Sequence, residues 1–426
     1  MHRDEQPRAI NMQKTTIAAH TLGCKVNQCD TEALLARLTN IGCIIRDFNQ
    51  PADIYIINTC TVTHASDKKS RQMIRRAKKQ NPQAKIAVCG CMAQKDPATA
   101  QEIGVDFIFD ARKPDAFIQE ISNLIPNSND TSQEDKSPTR TRAFLKIQDG
   151  CDRFCSYCIV PYVRGKPTSR PMAEILAEAE LMLTNGALEI VLTGIQVASY
   201  GNDTKDATLP KLIEKISSFA GLKRLRLSSI DPCAVTPEFL QAVANSTVIC
   251  DHFHLSLQSG SDTVLARMNR RYNTAGYANA AESLRKIFPN VAITTDIIVG
   301  FPGETDAEFN ESLTFAQKIG FARIHVFEYS KREGTPAATL PNQVPDKIKT
   351  DRGKQMRQLA ATLQTDFYKL QIGKTQPVLF ETETAPGEWQ GHTTNYCPVQ
   401  ILCNENLANT IRPVEINSHT ALSLRA

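Results

Sequence analysis

The chain has 426 residues, of which 41% are hydrophobic and 22% charged, and its formal net charge is +4. This length exceeds one ordinary core, so two or three domains are expected, and the composition argues against a disordered chain or a membrane protein. The first residues, MHRDEQPRAINMQK, carry no apolar signal core, and no run of about 18 uncharged apolar residues occurs. We therefore expect a cytoplasmic protein with no membrane segment.

Strand and helix patterns alternate in the first domain, predicted over residues 1–125. Apolar runs predict the strands TIAAHTL, DIYIIN and KIAVCG. One predicted helix, DTEALLARLTNIG, has Asp30 as its N-cap and Gly42 just past its end; the next runs from a Ser66 cap to a stop at Pro82. This alternation predicts a parallel sheet in an α/β domain.

The rest of the chain divides at a polar stretch, PNSNDTSQEDKSPTRTR, which predicts a linker over residues 126–142. Six strand-like runs follow, each separated by enough sequence for a helix: FLKIQ, EIVLTG, RLRLSS, HFHLSLQ, AITTDIIVGF and RIHVFEY. They predict a partial, TIM-like (βα)6 barrel over residues 143–370. The β-type patches TQPVLFET and NYCPVQILC predict a small all-β module over residues 371–426.

Thirteen cysteines occur in the chain, and six of them follow predicted strands. In a large chain without an export signal, cysteines are typical of reduced thiols that serve metal or redox chemistry. Functional groups lie just past the carboxyl ends of parallel strands. The six form an N-terminal triad, Cys24, Cys60 and Cys91, and a barrel-loop triad, Cys151, Cys155 and Cys158, the latter in C-x-x-x-C-x-x-C spacing.

Three thiols are an unusual number for a metal site. Structural zinc usually takes four protein ligands, whereas an iron-sulfur cubane held by three thiolates keeps one iron open. The absent fourth ligand therefore predicts a reactive position. A structural or zinc role is the alternative for the barrel-loop triad, and the residues alone are equally compatible with inert thiols in the N-terminal triad. The other cysteines are interpreted as packing residues: Cys29, Cys43, Cys89, Cys233, Cys250, Cys397 and Cys403.

Motifs along nearly the whole chain resemble the radical S-adenosylmethionine (radical SAM) methylthiotransferases. CSYCIVPYVRGKPTSR resembles their cluster loop, and TLGCKVNQCDTEALL, INTCTVTHASDKKSRQMIRRA and CGCMAQ resemble the cysteine-bearing segments of their N-terminal domain. HLSLQSGSDTVLARMNRRY and TTDIIVGFPGETDAEF resemble their barrel, and GHTTNYCPV resembles the RNA-binding TRAM module. GCKVNQ and TCTVTHASDKKSRQ are similar to the subgroup that modifies N6-threonylcarbamoyladenosine, just 3′ of the anticodon in tRNA.

The resemblance implies two [4Fe-4S] clusters. The barrel-loop triad would hold the cluster whose open iron binds SAM, and reductive cleavage of SAM would give a 5′-deoxyadenosyl radical. The N-terminal triad would hold a second cluster that carries or donates sulfur. The expected change is C–H to C–SCH3 at C2 of the adenine, with one SAM as methyl donor and another as radical source. The implied partners are the tRNA anticodon stem-loop and an electron donor such as flavodoxin or ferredoxin.

Further cofactor contacts are predicted near the strand ends. Gly194 would allow close approach of SAM, with a simple turn glycine as the alternative. Asp296 lies inside the fifth strand, and this position is equally compatible with hydrogen bonding in the barrel interior and with cofactor contact. The full predicted set is Tyr157, Gly194, Ser256, Gln258, Ser259 and Asp296.

Two kinds of residue are predicted to contact RNA. The segment KKSRQMIRRAKK holds seven basic residues in twelve and would neutralise phosphates, with a solvated helix face as the alternative. Residues 373–426 hold three Lys or Arg against five Glu, so aromatic stacking on bases is predicted there instead, with core packing as the alternative. The predicted residues are Lys68, Lys69, Arg71, Arg75, Arg76, Lys78, Lys79, Trp389 and Tyr396.

Two other functions stay open from the sequence. One is the same chemistry on an isopentenyladenosine tRNA or on a ribosomal protein side chain. The other is a non-catalytic RNA-binding protein in which the metals are structural.

Overall fold

The computed structural model describes residues 14–124, 141–204 and 207–426. The chain divides into two compact units, Met1–Lys136 and Ser137–Ala426. The predicted linker, 126–142, lies outside the described residues except for its last two positions.

The first unit is an α/β layer. Its elements are β1 (Thr16–Thr21), α1 (Lys25–Asn40), β2 (Ile44–Arg46), β3 (Ile54–Thr59), α2 (His64–Gln80), β4 (Lys85–Gly90), α3 (Cys91–Lys95), α4 (Pro97–Glu102), β5 (Phe107–Ile108) and α5 (Asp115–Leu124). The strands form one parallel sheet in the order β2-β1-β3-β4-β5. Apolar clusters cover both faces of the sheet, as a parallel sheet requires.

The three predicted strands of this unit are confirmed, but two predicted helix starts are wrong. Helix α1 begins at Lys25 with Cys24 as its N-cap, and Asp30 lies inside the helix. Helix α2 begins at His64, because the Thr63 side chain accepts the backbone N–H of Ser66 and so takes the cap position.

The second unit begins with the barrel, in which all six predicted strands are present. Its elements are β6 (Arg142–Asp149), α6 (Val160–Arg164), β7 (Thr168–Ser169), α7 (Met172–Thr184), β8 (Glu189–Gly194), α8 (Leu209–Ser217), β9 (Arg224–Leu227), α9 (Pro237–Asn245), β10 (His252–His254), α10 (Asp262–Arg267), α11 (Thr274–Ile287), β11 (Ala292–Val299), α12 (Asp306–Ile319), β12 (Arg323–Glu328) and α13 (Asp346–Lys369).

The six predicted barrel strands are parallel and follow chain order, and the short β7 pairs antiparallel with β6 at the edge. β6, β8 and β9 form one sheet, β10, β11 and β12 form another, and single bridges such as Ile230 with Leu255 join the two. Alternate side chains pack outward against the helices in one large apolar core. The opposite, interior face carries polar side chains, among them Gln148, Arg226 and His254. Strand β12 is the edge, so the barrel is open.

The chain ends in the predicted all-β module. Its strands are β13 (Thr375–Ala385), β14 (Glu388–His392), β15 (Pro398–Leu402), β16 (Thr410–Glu415), β17 (Ser418–His419) and β18 (Leu424–Arg425), in the sheet order β16-β13-β14-β15-β18-β17. Arg224, the first residue of β9, donates to the backbone oxygens of His392 at 2.8 Å and Pro377 at 2.6 Å. The module therefore packs against the amino ends of the barrel strands, in the same compact unit as the barrel.

Candidate metal centres

The N-terminal triad lies at one edge of the first sheet. Cys24 caps α1, Cys60 directly follows β3, and Cys91 is the first residue of α3. Because β1, β3 and β4 are parallel neighbours, their carboxyl ends meet at this edge. Cys24 and Cys91 lie at helix N-termini, where the helix dipole favours a negatively charged group such as a thiolate.

Two glycines allow the chain to pass close to these thiols. Gly23 has φ +102°, and a Cβ at this position would lie 2.9 Å from the Cβ of Cys60. Gly90 has φ +85°, and a Cβ there would collide with Asn58 and Thr59. Sequence reasoning missed both, although each directly precedes a cysteine of the triad.

Asn27 joins the loops that carry Cys24 and Cys60. Its Nδ2 donates to the backbone oxygens of Leu22 at 2.8 Å and Thr59 at 3.1 Å. The ends of β1 and β3 are thereby held together from inside α1. This buried amide was also missed by sequence reasoning, since its partners are defined only by the sheet.

Burial differs among the three thiols. Cys60 and Cys91 are buried, whereas Cys24 is exposed. Burial raises the pKa of the Cys60 thiol, so this sulfur stays protonated at neutral pH unless a cation binds it. Three thiols that share one edge, two of them buried, fit a thiolate-binding metal cluster.

The barrel-loop triad follows β6, the first barrel strand. The backbone N–H of Cys151 donates to Gly165 O at 3.0 Å, and that of Cys158 donates to Cys155 O at 2.9 Å. Phe154 has φ +46°, an uncommon conformation for a residue with a side chain, and it turns the loop between the first two cysteines. These contacts and this turn define the backbone of the loop that carries the three thiols.

A buried arginine faces this triad. Arg270 Nη1 donates to Cys155 Sγ at 3.1 Å, and the arginine side chain is 9% exposed. Burial raises the pKa of Cys151, and it raises the pKa of Cys158 to about 12. A fixed positive charge beside the three cysteines is suited to stabilise an anionic cluster. Sequence reasoning did not assign Arg270 to this site, because it follows Cys155 by 115 residues.

Gln148 and Asp149 anchor the same loop. Gln148 Nε2 donates to the backbone oxygens of Asp149 at 2.6 Å and Gly150 at 2.8 Å, and its Oε1 accepts from the Gln196 backbone at 2.8 Å. Burial opposes ionisation of Asp149, but the charges of Arg164 and Lys146 lower its pKa on balance. These contacts fix where β6 ends and the cysteine loop begins.

The predicted cofactor-binding residues have different surroundings in the structure. Ser259 is fully buried and its hydroxyl is 3.2 Å from that of Ser312, so the prediction that this side chain contacts SAM is wrong. A Cβ at Gly194 would lie 3.1 Å from Gln148 O, which gives this glycine a packing role. Tyr157 packs against an apolar cluster that includes Phe301.

The remaining predicted residues lie along the barrel interior. Ser256 Oγ is 2.7 Å from the Ser229 hydroxyl. Gln258 has φ +71°, and its backbone N–H donates to Asp296 O at 2.9 Å. Asp296 Oδ2 lies 3.3 Å from His254 Nε2. The Asp296 carboxylate therefore has a neighbouring polar partner in the barrel interior, and the choice between interior hydrogen bonding and cofactor contact stays a prediction.

Helix α2 presents a basic face. Its opposite face is buried through Ser70, Met73, Ile74 and Ala77, which fixes the orientation of the helix. Six of the seven predicted basic residues are exposed. The seventh, Lys78, donates to Ile103 O at 2.9 Å and is partly buried.

Both aromatic residues predicted to stack on RNA are occupied within the protein. Trp389 is 6% exposed and belongs to the core of the β module. The Tyr396 ring stacks on His392 at 4.9 Å, Arg226 lies over it at 4.7 Å, and its hydroxyl accepts from Arg142 at 2.9 Å. The stacking prediction is therefore wrong for both.

One cysteine interpreted as a packing residue is also corrected. Cys233 is exposed, and it lines a cavity of about 510 Å³ together with Arg270, Arg271 and Tyr272. Among the described residues, no helix combines the length and the apolar character that crossing a membrane requires.

The fold and the sequence match known families. Residues 145–316 match the Radical SAM superfamily, and residues 16–110 match Uncharacterized protein family UPF0004. The solved radical S-adenosylmethionine methyltransferase TsrM from Kitasatospora setae is similar with a TM-score of 0.59 and 14% identity, over 76% of this chain and 77% of that chain. The barrel with its three-cysteine loop is therefore that of a radical SAM enzyme, a class that uses SAM and a [4Fe-4S] cluster.

Curated relatives narrow the class. A threonylcarbamoyladenosine tRNA methylthiotransferase MtaB of Bacillus subtilis (strain 168) is 40% identical over 94% of this chain and 93% of its own length. The protein of the same name from Thermotoga maritima is 34% identical over 96% and 97%. A tRNA-2-methylthio-N(6)-dimethylallyladenosine synthase of Caldicellulosiruptor saccharolyticus is 35% identical over 93% and 88%. The chain belongs to the radical SAM tRNA methylthiotransferase family.

Proposed function

We propose that the protein converts N6-threonylcarbamoyladenosine, 3′ of the anticodon in tRNA, to its 2-methylthio derivative. The observation that carries the proposal is the pair of separate thiol triads, each at the carboxyl ends of parallel strands. The threonylcarbamoyl substrate is supported by the relatives named MtaB, which include the 40% identical protein of Bacillus subtilis.

The barrel-loop triad is proposed to hold the [4Fe-4S] cluster that binds SAM. When bound, this cluster and SAM supply a carbon-centred radical able to take hydrogen from an unactivated C–H bond. Arg270 would stabilise the thiolate of Cys155, and Gln148 would hold the loop in place. Tyr157, Gly194, Ser256 and Gln258 stay proposed neighbours of SAM.

The N-terminal triad is proposed to hold a second [4Fe-4S] cluster, which carries or donates the sulfur. Gly23, Gly90 and Asn27 would keep the three thiols within reach of one cluster. One SAM would be the methyl donor and another the radical source. We propose flavodoxin or ferredoxin as the electron donor and the cytoplasm as the location.

The exposed basic face of α2 is proposed to contact the tRNA backbone. This helix begins four residues after Cys60, so Lys68, Lys69 and Arg71 in its first turns lie toward the edge that carries the N-terminal triad. Its last turns run back toward the amino end of β3, where Asn81 bonds to Ala52 O at 2.9 Å. Phosphate contacts of this kind give binding that weakens steeply as salt rises.

Dimethylallyladenosine tRNA is the second candidate substrate, because synthases of its methylthio derivative are also similar over most of the chain. The test is anaerobic reconstitution with SAM and reductant, then mass spectrometry of nucleosides from two tRNAs. One tRNA carries threonylcarbamoyladenosine and the other dimethylallyladenosine. We expect the methylthio group on the first. Methylthiolation of the second alone would refute the proposed substrate.

Two variants test, in the same assay, whether the two triads serve different steps of the reaction. Cys151→Ala should abolish both 5′-deoxyadenosine formation and the methylthio product. Cys24→Ala should lose the product but keep SAM cleavage, because the barrel-loop triad is untouched. Cys403→Ala, a partly exposed cysteine outside both triads, is the matched control. Equal loss of both activities in a folded Cys24→Ala protein would contradict the two-cluster proposal.

A further inference from the structure

Three side chains with metal-binding atoms meet on the interior face of the barrel. They are His254 at the end of β10, Asp296 in β11 and His325 in β12. Asp296 pairs directly with His325 in the β11–β12 ladder, and His254 pairs with Thr294, two residues before Asp296. The side-chain period of two in a strand therefore puts all three on one face.

Their ligand atoms are close enough to share one ion. The imidazole nitrogens and the carboxylate oxygen lie within 4.8 Å of one another, and the two imidazole rings are 5.9 Å apart. His254 Nε2 already lies 3.3 Å from Asp296 Oδ2. Metal–ligand bonds of about 2.1 Å place neighbouring ligand atoms about 3–3.5 Å apart. The His254–Asp296 pair is already at that separation, and side-chain rotation would have to bring His325 closer to complete the site.

A neighbouring hydroxyl orients one of the imidazoles. His254 Nδ1 is hydrogen-bonded to Thr294 Oγ1 at 3.1 Å, which turns Nε2 toward Asp296. Metal-binding histidines usually have such a partner on the other ring nitrogen.

We propose that His254, Asp296 and His325 bind one first-row divalent cation of the Zn²⁺ or Fe²⁺ type, in addition to any cluster. Two imidazoles and one carboxylate form a donor set that such ions favour and that leaves further coordination positions open. The site is accessible, since the Asp296 side chain is 30% exposed and His325 is exposed. The open positions face the barrel interior.

The test uses the full chain with its clusters loaded and oxidised, a state in which [4Fe-4S] clusters give no EPR signal. Mn²⁺ is the probe, because it favours nitrogen and oxygen ligands over thiolates. We expect one Mn²⁺ bound per chain, with nitrogen modulation from imidazole in pulsed EPR. Asp296→Asn and His325→Gln should each weaken this binding at least tenfold.

The control variant is His419→Gln, which removes a histidine of the C-terminal module and should leave Mn²⁺ binding unchanged. Circular dichroism and iron content per chain establish that each variant is folded and carries its clusters. Equal Mn²⁺ binding by wild type, Asp296→Asn and His325→Gln would overturn the proposal. Bound Mn²⁺ without nitrogen modulation would overturn it as well. Neither result depends on which tRNA is modified.

Discussion

Gly23→Ala tests whether the N-terminal triad forms a site of its own. Gly23 has φ +102°, so any side chain there strains the backbone. The new Cβ would also lie 2.9 Å from Cys60 Cβ, an atom fixed by the buried end of β3. The methyl group would therefore push the loop that carries Cys24 away from Cys60.

The magnitude follows from these two effects. A left-handed conformation costs about 1–2 kcal/mol for a residue with a side chain. Overpacking against a fixed buried atom costs about 1–3 kcal/mol more. The summed cost is about 2–5 kcal/mol, and it destabilises the loop that must hold Cys24 beside Cys60. Cluster binding at the N-terminal triad should therefore weaken by about 30-fold or more.

The assay measures iron, SAM cleavage and methylthio product after anaerobic reconstitution. Iron should fall from about eight toward about four atoms per chain, since one of the two proposed cubanes would be lost. SAM cleavage should stay within about twofold, because the barrel-loop triad is untouched, while the product disappears. Gly42→Ala is the control: its φ of +95° gives comparable strain in the same unit, after α1 rather than after a strand.

Two outcomes would refute this reasoning. One is a Gly23→Ala protein with full iron content and full product, which would mean that Cys24 and Cys60 need not be close. The other is a loss of iron in Gly42→Ala equal to that in Gly23→Ala. General instability of the first unit, rather than damage to the triad, would then explain the result.

Three further predictions follow from the barrel and from α2. Arg270→Gln should slow SAM cleavage at least tenfold at unchanged iron in the N-terminal triad, since a hydrogen bond to a charged group contributes about 1.5–3 kcal/mol. Arg75→Glu with Lys79→Glu should weaken tRNA binding and reduce its salt slope by about one per residue, as measured by titration at several salt concentrations, whereas charge reversals on α8 should not. Arg226→Met should destabilise the protein by about 3–5 kcal/mol in denaturant unfolding, and adding Glu189→Gln should restore part of that loss.

The strands and the cysteine edge were predictable because they depend on local pattern and one topological rule. Buried apolar runs identify parallel strands, and parallel neighbours bring their carboxyl ends together, so Cys24, Cys60 and Cys91 were placed correctly on one edge. The start of α2 was not predictable, since Thr63 and Ser66 are both good caps. The choice depends on tertiary contact: Ser70, one turn further on, bonds to the backbone of Cys60.

The errors share a physical cause, which is long-range contact. Trp389 and Tyr396 are aromatic residues of the type that stacks on RNA bases. Local sequence, however, does not show which side of the small β module packs against the barrel. Tyr396 is held by Arg142, 254 residues away, and Arg270 is joined to Cys155 across 115 residues. Neither pairing leaves a periodic or compositional signal.

The structural and the functional polar groups of the barrel interior differ in how fully the protein encloses them, not in their polarity. At the base, the Arg226 guanidinium is 2% exposed and bonds to both Glu189 oxygens and to Thr394 O. Higher up, Asp296 and His325 are accessible. The C-terminal β module supplies hydrogen-bond partners for the arginines at the base of the barrel. Deleting the module would therefore leave buried charges without partners and destabilise the barrel, whether or not the module contacts RNA. Its contribution to tRNA binding must therefore be measured with point substitutions on its exposed surface, and a truncated protein that loses activity would not establish an RNA-binding role.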